Sequence, residues 1–312
     1  MMKKTVFFLL KAIGVIVIAI VLFLAIVFTV NVICNKLEKG KIEPYGQQVP
    51  VDGKNMNVTI QGNGEETVVL LPGYGTAAPG IDFKPLVDEL SPFYKVVVIE
   101  PFGYGLSDVT EKERSIENIV SELHECLQQL NIDRYILMGH SISGIYGLDY
   151  VNKYENEVSA FVGIDSSVPA QGGGDELPIA TLKSLKQSGF YRLLVKLDPA
   201  QIITPDVDDK TKEQNRMISL KNMMNPNTIS EAEHFTSNFK AVETLKFPKE
   251  LPVVFFLVKD TTDVEGWETL HEEQIKDSLH GKMMMFEGDH YLHHTRSKEI
   301  AQNFRSFMSE IK

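Results

Sequence analysis

The stretch Ile136-Leu137-Met138-Gly139-His140-Ser141-Ile142-Ser143-Gly144 decides how this 312-residue sequence is read. Three apolar residues that suit the end of a buried strand run into a turn of small residues, and the positions that follow are spaced for a helix. A sharp strand-to-helix turn forces its central residue into a strained conformation and tolerates only small residues two positions to either side. Gly139 and Ser143 meet that demand, and Gly144 adds room. Such a turn lifts the Ser141 hydroxyl clear of the backbone, while the start of the helix, at the Ile142 amide, offers N–H groups and a positive dipole to an oxyanion. His140 points away from the nucleophile in such a turn and reads as structural. Gly-x-Ser-x-Ser also fits an ordinary strand-to-helix turn, so its surroundings have to decide.

Around this motif, short apolar runs alternate with helical periods, an order that predicts an α/β fold on a mostly parallel sheet. The expected strands cover residues 55–60, 67–71, 95–100, 135–138, 158–164, 252–258 and 282–286. The turn Gly62-Asn63-Gly64 marks the first pair as a hairpin. Ile116, Ile119, Val120, Leu123, Leu127 and Leu130 recur at steps of three and four, as do Ile300, Phe304, Phe307 and Ile311, and both sets predict helices packed on the sheet. Residues 168–250 interrupt the alternation with helix-like pieces, 182–197 and 230–245, joined by Pro199, Pro205 and Pro226. They predict an inserted lid, entered through Gly172-Gly173-Gly174.

Three further motifs follow in a fixed order. Leu70-Leu71-Pro72-Gly73-Tyr74-Gly75-Thr76 comes after an expected strand; Val98-Ile99-Glu100-Pro101-Phe102-Gly103-Tyr104-Gly105-Leu106-Ser107-Asp108 comes next; Phe286-Glu287-Gly288-Asp289-His290 lies between the last strand and the last helix. With the turn at Ser141, they make residues 49–312 resemble the α/β-hydrolase fold family in its lid-bearing bacterial form. The resemblance implies an oxyanion loop that contributes the Tyr74 amide, although Pro72 replaces the usual histidine. It implies a structural acidic position at Glu100, with Gly103 and Gly105 present for turn geometry. It also implies a catalytic histidine at His290, with Asp289 where glycine is commoner. The triad acid in this family follows the strand before the histidine strand. Asp260 is therefore the expected acid and Asp263 the alternative; Asp165, closing the strand at 158–164, is a third option that reads as a turn cap.

A triad is needed because a serine hydroxyl is a poor nucleophile at neutral pH. His290 would take its proton during attack and return one to the leaving group, while the aspartate holds the imidazole tautomer. His293 and His294 raise the question of a metal, but His-Glu-x-x-His and Cys-x-x-Cys are both missing, so no metal is expected and the two histidines read as lining the loop or capping the last helix. Every Gly-Lys pair lacks the glycine of a phosphate loop, and Gly73-x-Gly75 and Gly103-x-Gly105 lack the third glycine of a dinucleotide site. No cofactor is expected. Serine at position 141 also argues against the dehalogenases and epoxide hydrolases of the same fold, which attack with aspartate.

The N-terminus carries a separate signal. From Ala12 to Asn35 there are 24 residues without a charge, and a bilayer span needs about 20. The run is too long for a signal-peptide core and ends without a small-x-small cleavage site. Residues 1–35 therefore read as an uncleaved anchor with residues 12–33 in the bilayer, 36–48 as a polar juncture, and 49–312 as the hydrolase domain. Lys3, Lys4 and Lys11 before the span face Lys36, Lys39 and Lys41 after it, a near tie that leans toward an extracytoplasmic domain. The net charge of −11 would repel nucleic-acid phosphates, and two cysteines exclude a disulfide-built scaffold.

These observations together predict a membrane-anchored serine hydrolase acting on small carboxylic esters or amides. One alternative is a proline-releasing aminopeptidase that holds a substrate ammonium with Glu231 or Glu233. The other is a non-catalytic relative that binds a ligand.

Overall fold

The computed structural model describes residues 2–173, 177–259 and 264–311. They form two compact units: residues 44–177 with 204–312, and residues 1–43 with 178–203.

The larger unit is built on an eight-stranded sheet. Its strands are β1 (Gln47–Val51), β2 (Lys54–Gln61), β3 (Thr67–Leu71), β4 (Lys95–Glu100), β5 (Tyr135–His140), β6 (Val158–Ile164), β7 (Val253–Val258) and β8 (Gly281–Phe286), in the order β1-β2-β4-β3-β5-β6-β7-β8. β1 and β2 are antiparallel to their neighbours, and all other pairs are parallel. β3, β5 and β7 are buried along their whole length, which is what continuous apolar runs require of strands covered on both faces.

The alternation of side chains divides the core in two. Val69, Leu71, Val97, Ile99 and Leu137 pack with Ile116, Ile119, Leu123 and Leu127 of the helix Ile116–Gln129 on one face. Val68, Leu70, Val96, Val98 and Ile136 pack with Ile300, Phe304 and Phe307 of the helix Ser297–Glu310 on the other. The two helical periods read in the sequence thus cover opposite faces of one sheet.

The hairpin expected at Gly62-Asn63-Gly64 does not form. β2 pairs with β4, from Asn57↔Glu100 to Gln61↔Val96, and β3 lies on the far side of β4. All five residues of β3 are buried, so it gains more between two strands than beside the sheet edge. The glycines serve another purpose, since a Cβ on Gly62 would lie 2.2 Å from Tyr94 O and one on Gly64 2.1 Å from Phe93 O. The hairpin that does form joins β1 to β2 through Asp52-Gly53, at φ +48° and +72°, with Val51 opposite Lys54.

Between β6 and β7 the described residues form helices and no strand, as the sequence predicts. Asp209–Asn222, Pro226–Glu233 and Phe235–Ala241 belong to the larger unit. Ile179–Ser188 and Phe190–Leu197 belong to the smaller one, separated by Gly189 at φ +88°, which breaks the single helix expected over 182–197. Gly174 of the expected hinge lies outside the described residues.

The smaller unit is dominated by the helix Met2–Lys39. It runs four residues past the expected end of the anchor at residue 35, because nothing before Gly40 breaks it and Lys36 and Lys39 suit the negative end of its dipole. The stretch Lys4–Lys39 contains 18 consecutive residues with a mean hydropathy of 3.3 and is long and apolar enough to cross a membrane.

Candidate active site

β5 delivers the turn at Ser141. This residue sits at φ +54°, a conformation that a β-carbon disfavours, and the helix Ser143–Lys153 begins two residues later. Neighbouring segments hold the strain in place: Ser141 N donates to Ile164 O at 3.2 Å, and Ser141 O accepts from Gly144 N at 2.9 Å and Ser167 N at 2.8 Å. A Cβ on Gly144 would lie 2.1 Å from Ser167 O, so the small residues anticipated around the turn are sterically required.

The loop after β3 closes over this turn. A Cβ on Gly73 would lie 2.8 Å from His140 Nδ1 and 3.0 Å from Ser141 Cβ, so only a residue without a side chain lets the loop approach the serine this closely. Ser143 Oγ donates to Pro72 O at 2.6 Å and ties the loop to the turn. Gly75 N donates to Tyr104 Oη at 3.3 Å, and Tyr74 Oη donates to Thr228 O at 2.9 Å. Among the described residues no group of the chain accepts from the Tyr74 or Ile142 amide, the two donors expected to face an oxyanion.

His290 follows β8, its side chain 43% exposed, and donates Nδ1–H to Asp165 Oδ2 at 2.6 Å. Asp165 ends β6 at φ +39°, only 2% exposed, and its Oδ1 accepts from Val258 N at 3.1 Å and Trp267 Nε1 at 3.3 Å. Three donors to one buried carboxylate match the demand of a charge removed from water. Asp260 and Asp263 lie outside the described residues. The reading of Asp165 as a turn cap is corrected: it does hold the end of β7 through Val258, but the same carboxylate also carries the histidine. β6 and β7 are adjacent and parallel, so either strand end can deliver an acid to the loop after β8.

His140 is buried, and its Nε2 donates to His290 O at 3.0 Å, with the two rings 4.6 Å apart. It supports the histidine rather than the serine. Burial, with His293 and His290 nearby, pushes its pKa well below the ordinary histidine value. His293 and His294 neither line the loop nor cap the last helix. Their Nε2 atoms donate to the two oxygens of buried Asp82, at 2.7 and 2.8 Å. Burial pushes His293 down as well; it opposes ionisation of Asp82, but the two histidines hold that carboxyl below its usual range. These three ligand atoms lie within 4.8 Å of one another. The hydrogen bonds give each carboxylate oxygen one N–H.

Two further acids are structural. Glu100 is fully buried, with burial raising its pKa, and accepts from Tyr45 Oη, Asn57 Nδ2, Gly80 N and Leu106 N. Gly103 and Gly105 have φ of +87° and +50°, the turn geometry anticipated for them. Glu231 is 4% exposed and accepts from Tyr104 Oη at 2.6 Å and Tyr146 Oη at 2.8 Å. It therefore ties the helix Ser143–Lys153, through Tyr146, to Tyr104, the residue that accepts from Gly75 N, and both its oxygens are engaged. Glu233 is exposed.

Comparison with known proteins agrees with this architecture. Residues 66–203 match the alpha/beta hydrolase fold model. The uncharacterized protein YbdG of Bacillus subtilis (strain 168) is 32% identical over 265 residues, covering 80% of each chain. The chain belongs to the alpha/beta hydrolase fold family. Within it, a 2-hydroxy-6-oxononadienedioate/2-hydroxy-6-oxononatrienedioate hydrolase of Escherichia coli (strain K12) is 27% identical over 211 residues, covering 64% of this chain and 69% of that one. The enol-lactonase from Burkholderia xenovorans LB400 superposes with a TM-score of 0.60 at 16% identity, covering 84% of this chain and 100% of the other, a likeness of fold alone. This alpha/beta hydrolase is thus similar in sequence to a hydrolase of a small molecule and shares its fold with an enol-lactonase.

Proposed function

We propose that this alpha/beta hydrolase is a membrane-anchored serine hydrolase of carboxylic esters, with Ser141 as nucleophile, His290 as base and Asp165 as the acid of the triad. The observation that carries the reading is the 2.6 Å bond from His290 Nδ1 to the buried carboxylate of Asp165, in the same site as a serine held at φ +54°. With Nδ1–H committed to Asp165, the tautomer leaves a lone pair on Nε2, the atom that accepts the Ser141 proton as Oγ attacks the ester carbonyl. Negative charge passes to the carbonyl oxygen, where the Tyr74 and Ile142 amides receive it. Collapse expels the alcohol with the proton from His290 and leaves an acyl-Ser141 ester, which water hydrolyses by the same steps. The helices Asp209–Asn222, Pro226–Glu233 and Phe235–Ala241 form the lid, and residues 12–33 hold the chain in the bilayer. No cofactor takes part.

The aminopeptidase alternative loses one of its two candidate acids, since Glu231 is buried under two tyrosine hydroxyls. A fluorophosphonate probe tests the proposal: wild-type protein should label at Ser141 and hydrolyse short-chain chromogenic esters, and Ser141→Ala should abolish both. A folded wild-type protein that neither labels nor hydrolyses any ester or amide would leave a ligand-binding role in its place.

A further inference from the structure

The smaller unit joins the N-terminal helix to a pair of helices that come from the middle of the hydrolase sequence. Phe190 packs on Phe23 with ring centroids 6.1 Å apart, and Gly189 sits so close that a Cβ would lie 2.8 Å from Val27 O. Phe23 is at the middle of the uncharged run 12–35, about 18 Å along the helix from its charged end. Arg192 then reaches the last turns of that helix. It donates Nε–H to Asn31 Oδ1 at 3.1 Å, Nη2–H to Asn35 Oδ1 at 2.6 Å, and a two-pronged pair of bonds to Glu38, both 2.7 Å. Asn31 within the span, and Asn35 just beyond it, thereby gain a partner, which polar groups at membrane depth require.

The rest of the helix Phe190–Leu197 is amphipathic. Phe190, Leu193, Leu194 and Leu197 recur on one face, and Leu194 and Leu197 are 42% and 74% exposed. That face is continuous with Phe190, which touches mid-span Phe23. Residues 178–203 also carry Lys183, Lys186, Arg192 and Lys196 against Asp198 alone, a positive segment in a chain of net charge −11. Apolar surface beside basic side chains suits an anionic lipid interface.

We propose that the hairpin Ile179–Leu197 is a second membrane element, docked on the anchor and seated in the headgroup and upper acyl layer of the bilayer, so that Leu194 and Leu197 face lipid. This rests on the reading of residues 12–33 as a bilayer span. The site takes a lipid surface as its partner, and its basic residues favour anionic headgroups.

The full chain, with Cys34 and Cys126 replaced by serine, would carry one nitroxide at a time at Ile18→Cys, Leu194→Cys, Leu197→Cys or Gln302→Cys. It would be reconstituted in vesicles of phosphatidylcholine and phosphatidylglycerol, and relaxation by oxygen and by a water-soluble nickel chelate measured at each position. Leu194 and Leu197 are expected to resemble Ile18, with an oxygen-to-nickel ratio several-fold above that of surface Gln302. Water-like values at 194 and 197 beside a lipid-like Ile18 would overturn the proposal and leave the anchor standing. Protection from both reagents would also overturn it, since a protein partner or second copy would then cover the face. A water-like Ile18 would remove the anchor and the proposal together.

Discussion

Trp267 donates its indole N–H to Asp165 Oδ1 at 3.3 Å, on the carboxylate whose other oxygen holds His290 Nδ1 at 2.6 Å. The chain's single tryptophan thus fixes the rotation of the acid that orients the histidine. The helix Trp267–Ile275 that carries it follows β7, so β7 supplies support for an acid borne on β6.

Replacing Asp165 by Asn should lower ester turnover by about three to four orders of magnitude, because the amide favours the wrong imidazole tautomer. Asp260→Asn and Asp263→Asn should change it little. Steady-state kinetics on the three variants, with melting curves to verify folding, decide among them, and a large loss at 260 or 263 alone would move the role there.

Gly73→Ala should cost about 10²- to 10³-fold in kcat, the size of losing an oxyanion donor, because its methyl would meet Ser141 Cβ at 3.0 Å and His140 Nδ1 at 2.8 Å and push the Tyr74 amide outward. Wild-type kcat in this variant would mean that the loop does not serve the reaction.

Glu231→Ala should destabilise the fold by about 2–3 kcal/mol, since it strands two buried tyrosine hydroxyls. Urea denaturation measures the loss, and a change below about 0.5 kcal/mol, the range of ordinary surface substitutions, would refute the tie.

Acid should weaken the protein between about pH 6.5 and 5. His140 and His293 have folded pKa values lowered by burial, so the unfolded chain takes up protons first as pH falls through about 6.5. Stability present above that value is then lost, by up to about 1.4 kcal/mol per pH unit for each histidine until its folded pKa is reached. A melting temperature constant from pH 7.5 to 5 would contradict this.

The sheet, the turn at Ser141 and the position of His290 were legible because each depends on local pattern: an apolar run, a cluster of small residues, a motif between a strand and a helix. Asp165 was visible as a strand-end aspartate but not as the partner of a residue 125 positions away. Asp52-Gly53 and Gly62-Asn63-Gly64 both carry a hairpin signal; only the pairing of β2 with β4 separates a turn glycine from one that makes room for a neighbouring backbone. The pairing of His293 and His294 with Asp82 spans more than two hundred residues and leaves no periodic trace.

Those long spans bear on biosynthesis. The segment 290–294 is joined to Asp82, His140 and Asp165, all made far earlier. Contacts of such separation form late, after their loop-closure entropy has been met. Synthesis proceeds from the N-terminus, so the apolar helix Met2–Lys39 is available for insertion while the bond between His290 and Asp165 cannot yet exist. A nascent chain that has passed Ser167 but not reached His290 therefore holds every partner of the Ser141 turn and lacks the histidine proposed as its base.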